Sequence, residues 1–178
     1  MVPVMLAALA GMGCPSKDGP KGDSLQAKAT IAIDAPVEQA EEVCPGLRCP
    51  LEHSLFDEIE YVPDAAGRIK AVVLRCAPPP DRSVQASRES FERIRGLITN
   101  ALGTGESFLE SGDPTYWPER AREKRIMTIT INRDERTIIA IGPAGPDAAK
   151  IPPSGAANNR KAAQEYWQKI LAVPAFAK

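Results

Sequence analysis

Four residues of this 178-residue chain have the types and spacing to do chemistry: Cys44, Cys49, His53 and Cys76. Three thiolates and an imidazole are the ligands of a Cys₃His zinc site. If Val62 pairs with Arg68 in a hairpin, the antiparallel register sets Cys76 opposite Ser54, beside His53, and Cys49 lies four residues before His53. The paired Cys-x₂-Cys knuckle of many zinc sites is missing, and an oxidising compartment would turn the thiols into a disulfide. Cys44-Pro45-Gly46-Leu47 has Pro and Gly at the two central positions of a type II turn, which folds the chain back and brings Cys49 towards Cys44. A Cys44–Cys49 bridge is therefore expected first, with Cys76 left as a thiol and His53 as a surface or capping residue. Three cysteines allow other pairings.

The fourth cysteine, Cys14, has different surroundings. Met1 to Gly13 carry no charge and are mostly Val, Met, Leu, Ala and Gly, and the polar run Pro15-Ser16-Lys17-Asp18-Gly19-Pro20 follows Cys14. Such a stretch is too short to span a bilayer, which takes about 20 apolar residues. It has the length of the apolar core of a secretory signal. Gly11-Met12-Gly13-Cys14 resembles the end of a bacterial lipoprotein signal, in which the Cys is lipidated and becomes the new N-terminus. That resemblance implies a signal peptide over residues 1–13 and a lipid on Cys14. Cleavage after Ala8-Leu9-Ala10, giving a soluble exported chain, is the alternative, and a cytosolic chain with an apolar N-terminus is the third.

The remaining chemistry is sparse. With a single histidine, a Ser–His–acid triad would have to be built on His53, and no glycine-flanked nucleophile elbow is present. No phosphate-cradling glycine loop appears either. Lys and Arg (22) nearly cancel Asp and Glu (23), and aromatics are 5% of the chain. That balance argues against nucleic-acid binding. No cofactor and no catalytic role are expected.

The elements that must position these residues follow from periodicity. Residues 14–30 are polar and aperiodic and read as a flexible tether. A domain is expected over 31–142, a Pro/Gly linker over 143–155 and an amphipathic helix over 156–173. Thr30 to Ile33 alternate as a short strand would, and Val37 to Val43 follow Pro36 as a short helix. Phe56–Val62 and Arg68–Cys76 form a hairpin signal around a five-residue loop, and alternation in the second strand has it covered on both faces. Phe91, Ile94, Leu97, Ile98, Ala101 and Leu102 fall at helical spacing, with Asp81 or Ser83 to cap the start and Gly103 past the end. Ile126–Ile131 and Thr137–Ile141 make a second hairpin. The expected fold is α+β: an antiparallel sheet of about four strands in two hairpins, packed by the central helix, plus the C-terminal helix.

Two aromatic pairs are candidates for protein interaction, Tyr116-Trp117 and Tyr166-Trp167. The first is read primarily as capping the core at a strand entrance, and the second as docking its helix on its own domain.

The order of short helix, hairpin, helix and hairpin behind Cys14 is similar to small Gram-negative envelope lipoproteins of the BamE/SmpA type. The residues carrying this are Gly11-Met12-Gly13-Cys14, the segment Ile33 to Gly46, and the Tyr61 to Val73 hairpin with its Asp64…Gly67 turn. It implies a periplasm-facing domain anchored to the outer membrane, with a structural or interaction role and an envelope protein as partner. Pro15 rather than Asp after the Cys favours outer over inner membrane by the same analogy.

Overall fold

The computed structural model describes residues 24–81, 83–103, 105–107, 115–119, 124–131, 136–142 and 153–177. The signal segment, Cys14, most of the tether, the second hairpin's turn and most of the linker lie outside them.

Among the described residues, one antiparallel sheet of seven strands organises the fold: β1 (Arg48–Pro50), β2 (Phe56–Pro63), β3 (Ile69–Cys76), β4 (Glu106–Ser107), β5 (Thr115–Glu119), β6 (Lys124–Ile131) and β7 (Thr137–Ile141). Their spatial order is β1-β2-β3-β7-β6-β5-β4. The α+β class and the two hairpins agree with the sequence pattern. The sheet has seven strands rather than about four, because three short strands extend its flanks. The described residues also form the α-helices α1 (Leu25–Lys28), α2 (Val37–Val43), α3 (Val84–Leu102) and α4 (Pro153–Leu171).

The period-2 pattern builds the core. Ile59, Leu74, Ile139 and Ile129 are consecutive cross-strand partners, and so are Tyr61, Val72, Ile141 and Met127. Both rows are fully buried, beneath α3 and α4, which lie across β6 and β7. Phe91, Ile94 and Ile98 from α3 and Ala163, Trp167 and Ile170 from α4 close the layer, as their 3.6 periodicity requires. Ala71 and Val73 on the opposite face of β3 are buried too, so this strand is covered on both sides. Gly142 ends β7 so close to β3 that a Cβ there would lie 2.3 Å from the Lys70 carbonyl oxygen.

The start of α3 is a doubly supported cap. Ser83 Oγ accepts from the Ala86 amide at 3.1 Å, and Asp81 accepts from both the Ser83 amide and hydroxyl. Both residues proposed as caps are used, one supporting the other.

Three expectations are corrected. Helical structure already occurs before residue 31: α1 falls in the expected tether, and Leu25 is fully buried in the core. Thr30 to Ile33 form no strand, although Ile31 and Ile33 are buried as the alternation implied. The C-terminal helix starts at Pro153, inside the expected linker, since Pro fits a first helical turn.

Candidate functional site

Cys44 and Cys49 are joined in a disulfide, their Cα atoms 5.6 Å apart. The turn between them works as its residues dictate: Gly46 takes φ +75°, open to glycine at little cost, at the third position of the reversal. Cys49 then enters β1 opposite Ile59, and both half-cystines are buried.

His53 turns the chain from β1 into β2. Its Nδ1 accepts from the Leu55 amide at 3.1 Å and the Phe56 amide at 3.3 Å. The ring stacks on Phe56, centroids 5.1 Å apart, and Phe56 meets Phe176 edge-on at 5.0 Å. An Nδ1 that accepts puts the proton of the neutral ring on Nε2. Burial lowers the His53 pKa, and the backbone of Phe176 opposes this in part. His53 is thus a local cap.

Cys76 is a free, buried thiol at the end of β3. It lies opposite Phe56, not Ser54: Val62 faces Ala71 rather than Arg68, a displacement of three residues, and the irregularity between Phe56 and Glu58 takes one back, leaving two at Cys76. Burial pushes its thiol up to about 12, with the Asp57 carboxylate adding to the effect. Arg136 covers this end of the strand, donating from Nε to the Cys76 carbonyl at 3.1 Å and pairing with Asp57. The structure therefore does not assemble Cys44, Cys49, His53 and Cys76 into the expected zinc arrangement. Two of its thiols are bonded to each other, the accepting imidazole nitrogen is engaged, and the third thiol is held protonated. Among the described residues no group of three His, Cys, Asp or Glu side chains is placed to hold a metal.

The aromatic candidates separate. Trp167 is fully buried in its own domain's core and is unavailable to a partner, while Tyr166 is half-buried against it with Lys169 6.0 Å above its ring. Tyr116 and Trp117 lie in β5 opposite Thr128 and Met127; their side chains are outside the described set.

A charge cluster that the sequence did not reveal ties three distant segments together. Asp34 adopts φ +80°, in the left-handed region that Asp enters more readily than most residues. Its amide donates to the Ile69 carbonyl at 2.7 Å. Its carboxylate accepts from Arg68 Nε at 3.0 Å and pairs with Arg160 of α4, which also pairs with Asp64. Arg68 above all, with Arg160, holds the Asp34 pKa below the usual carboxylate range. For Asp64, burial raises the pKa, but the Arg68 and Ala66 amides and Arg160 outweigh it and leave it lowered. One turn further along α4, Gln164 Oε1 accepts from the Ile33 amide at 2.7 Å. On the other face of the sheet, Arg75 bridges Glu58 and Glu60, and Arg48 joins Glu58 from β1.

Among the described residues, two grooves stand out on the surface. One, of about 500 Å³, runs along Pro78-Pro79-Pro80 against Glu89 and Arg93 of α3. The other, of about 440 Å³, opens between the C-terminal ends of α3 and α4. Leu97, Ala101, Ala172, Val173 and Pro174 make it largely apolar, with Asn100 and Lys169 supplying polar groups.

No protein-family model, curated protein or solved structure matches this chain.

Proposed function

We propose that this chain is an exported, non-catalytic protein anchored to the bacterial outer membrane by lipid on Cys14. Its domain would face the periplasm and serve a structural or interaction role with an envelope protein. The observation that carries this reading is the uncharged apolar run ending in Gly11-Met12-Gly13-Cys14, followed at once by polar sequence. Two structural features support it. The Cys44–Cys49 disulfide suits an oxidising compartment such as the periplasm. α1, capped by Ser24 and packed into the core through Leu25, lies only ten residues after Cys14, and the residues between are polar or small. Among the described residues no helix is long and apolar enough to cross a membrane, so the anchor in this reading is the lipid.

The test is an intact mass of the chain expressed in a Gram-negative host and extracted with detergent. The expected mass lacks residues 1–13 and carries acyl groups on Cys14. Cys14→Ser should abolish both the acylation and membrane retention. A chain of unmodified mass in the soluble fraction overturns the anchor.

A further inference from the structure

The two ends of the described domain meet. Gln26 Nε2, in α1, donates to the Phe176 carbonyl at 3.1 Å, so the residue through which the chain leaves towards Cys14 sits at the C-terminal end of the fold. Phe176 belongs to the short 3₁₀ turn Pro174–Phe176 that directly follows Val173. Val173 and Pro174 in turn line the groove between the ends of α3 and α4.

We propose that this groove receives a fatty acyl chain carried on Cys14 and shelters it from water when the protein is away from a bilayer. The inference rests on lipidation of Cys14 as proposed above. Three features point to this occupant. The lining is apolar side chain and proline, without a buried charge that would oppose a hydrocarbon, and its volume of about 440 Å³ falls within the range of about 300–1,000 Å³ typical of small-ligand sites. Ala101 and Ala172 are exposed small residues at the mouth, which leave it open. The spacer also has the reach: ten residues extend to at most about 33 Å, and they start from the end of the domain that carries the groove. Lys169 lies at the groove with its ammonium group over the Tyr166 ring, where it can remain hydrated.

The experiment feeds the host a fatty acid bearing a photoreactive diazirine. The lipidated full chain is then purified, detergent is removed, and the monomer is illuminated and mapped by mass spectrometry. Cross-links from the Cys14 acyl group to Leu97–Ala101 or Ala172–Pro174 are expected. Ala101→Trp, which fills the mouth from an exposed position, should abolish them while leaving the acylated mass unchanged. Ala172→Trp provides the same test from the other wall, and burial of Cys76 against thiol reagents reports that each variant is folded. An acylated chain whose cross-links fall elsewhere overturns the groove and leaves the anchor standing. A chain with no acyl mass overturns both, and the intact mass alone tells the two failures apart.

Discussion

Gln164 on α4 accepts from the Ile33 amide, in the segment between α1 and α2, at 2.7 Å, across 131 residues of sequence. The segment 30–35 belongs to no regular element, so its backbone groups need partners from elsewhere in the fold. α4 supplies one through Gln164, and β3 supplies another through the Ile69 carbonyl that accepts from Asp34. The C-terminal helix is thus part of the core fold.

Removal of that acceptor should be costly. Gln164→Ala leaves the Ile33 amide without its partner beside a buried side chain, and should lower stability by about 1–3 kcal/mol. Urea unfolding followed by Trp167 fluorescence measures it; a midpoint unchanged from wild type would show that water replaces the contact.

Arg160 acts one turn away, through charge. Asp34 and Asp64 have lowered pKa values in the folded state. Their stabilisation is therefore complete above the unfolded carboxylate pKa of about 4 and is lost as pH falls through the lower folded values. Arg160→Ala should cost about 1 kcal/mol or less at neutral pH, because the cluster is partly exposed and screened. It should also flatten the loss of stability that sets in as pH falls below about 4. Urea midpoints across that range, with and without 1 M salt, check both statements.

His53 has the opposite charge type but the same direction of pH dependence. Its folded pKa lies below the ordinary value, so protonation favours the unfolded chain, and stability falls as pH drops through about 6.5. Its protonation also removes the Nδ1 acceptor from the Leu55 and Phe56 amides. His53→Ala should abolish this step near pH 6 while leaving the carboxylate step intact.

The cysteines make a prediction by count. In the native chain Cys76 should resist a maleimide at pH 8, since it is buried and its thiolate is disfavoured. Unfolding without reductant should expose one thiol if Cys14 is acylated and two if it is not. Replacing Cys44 and Cys49 with Ser should lower stability by about 2 kcal/mol, the value for so short a loop.

Much of the fold was legible because local patterns and the final packing agree. The α3 periodicity, the Ser83 start and the alternation of β3 needed no long-range information. The disulfide followed from Pro45-Gly46, which folds the chain wherever it sits. Other features had no local signal. β1, β4 and β5 are two to five residues long, and Pro50 and Pro118 mask two of them, because proline lowers the expectation of a strand except at sheet edges and irregularities. The hairpin register moved because Pro63 joins the ladder opposite Ile69 and the irregularity at Val62/Pro63 adds a residue, of which the one at Phe56/Glu58 takes one back. That displacement alone separated Cys76 from the expected zinc position. The Asp34–Arg160–Asp64 cluster joins residues with no sequence relation, so only the fold could bring them together.

The two ends of the sheet bear on how the protein behaves at high density. β1 offers three residues at one edge, and Pro50 among them has no amide proton to donate; β4 offers two at the other. A neighbouring copy that approached either described edge would find too short a ladder to extend. In the lipid-anchored form proposed above, molecules confined to a plane would collide far more often than free ones. Such blunt margins let them crowd together without polymerising into fibrils.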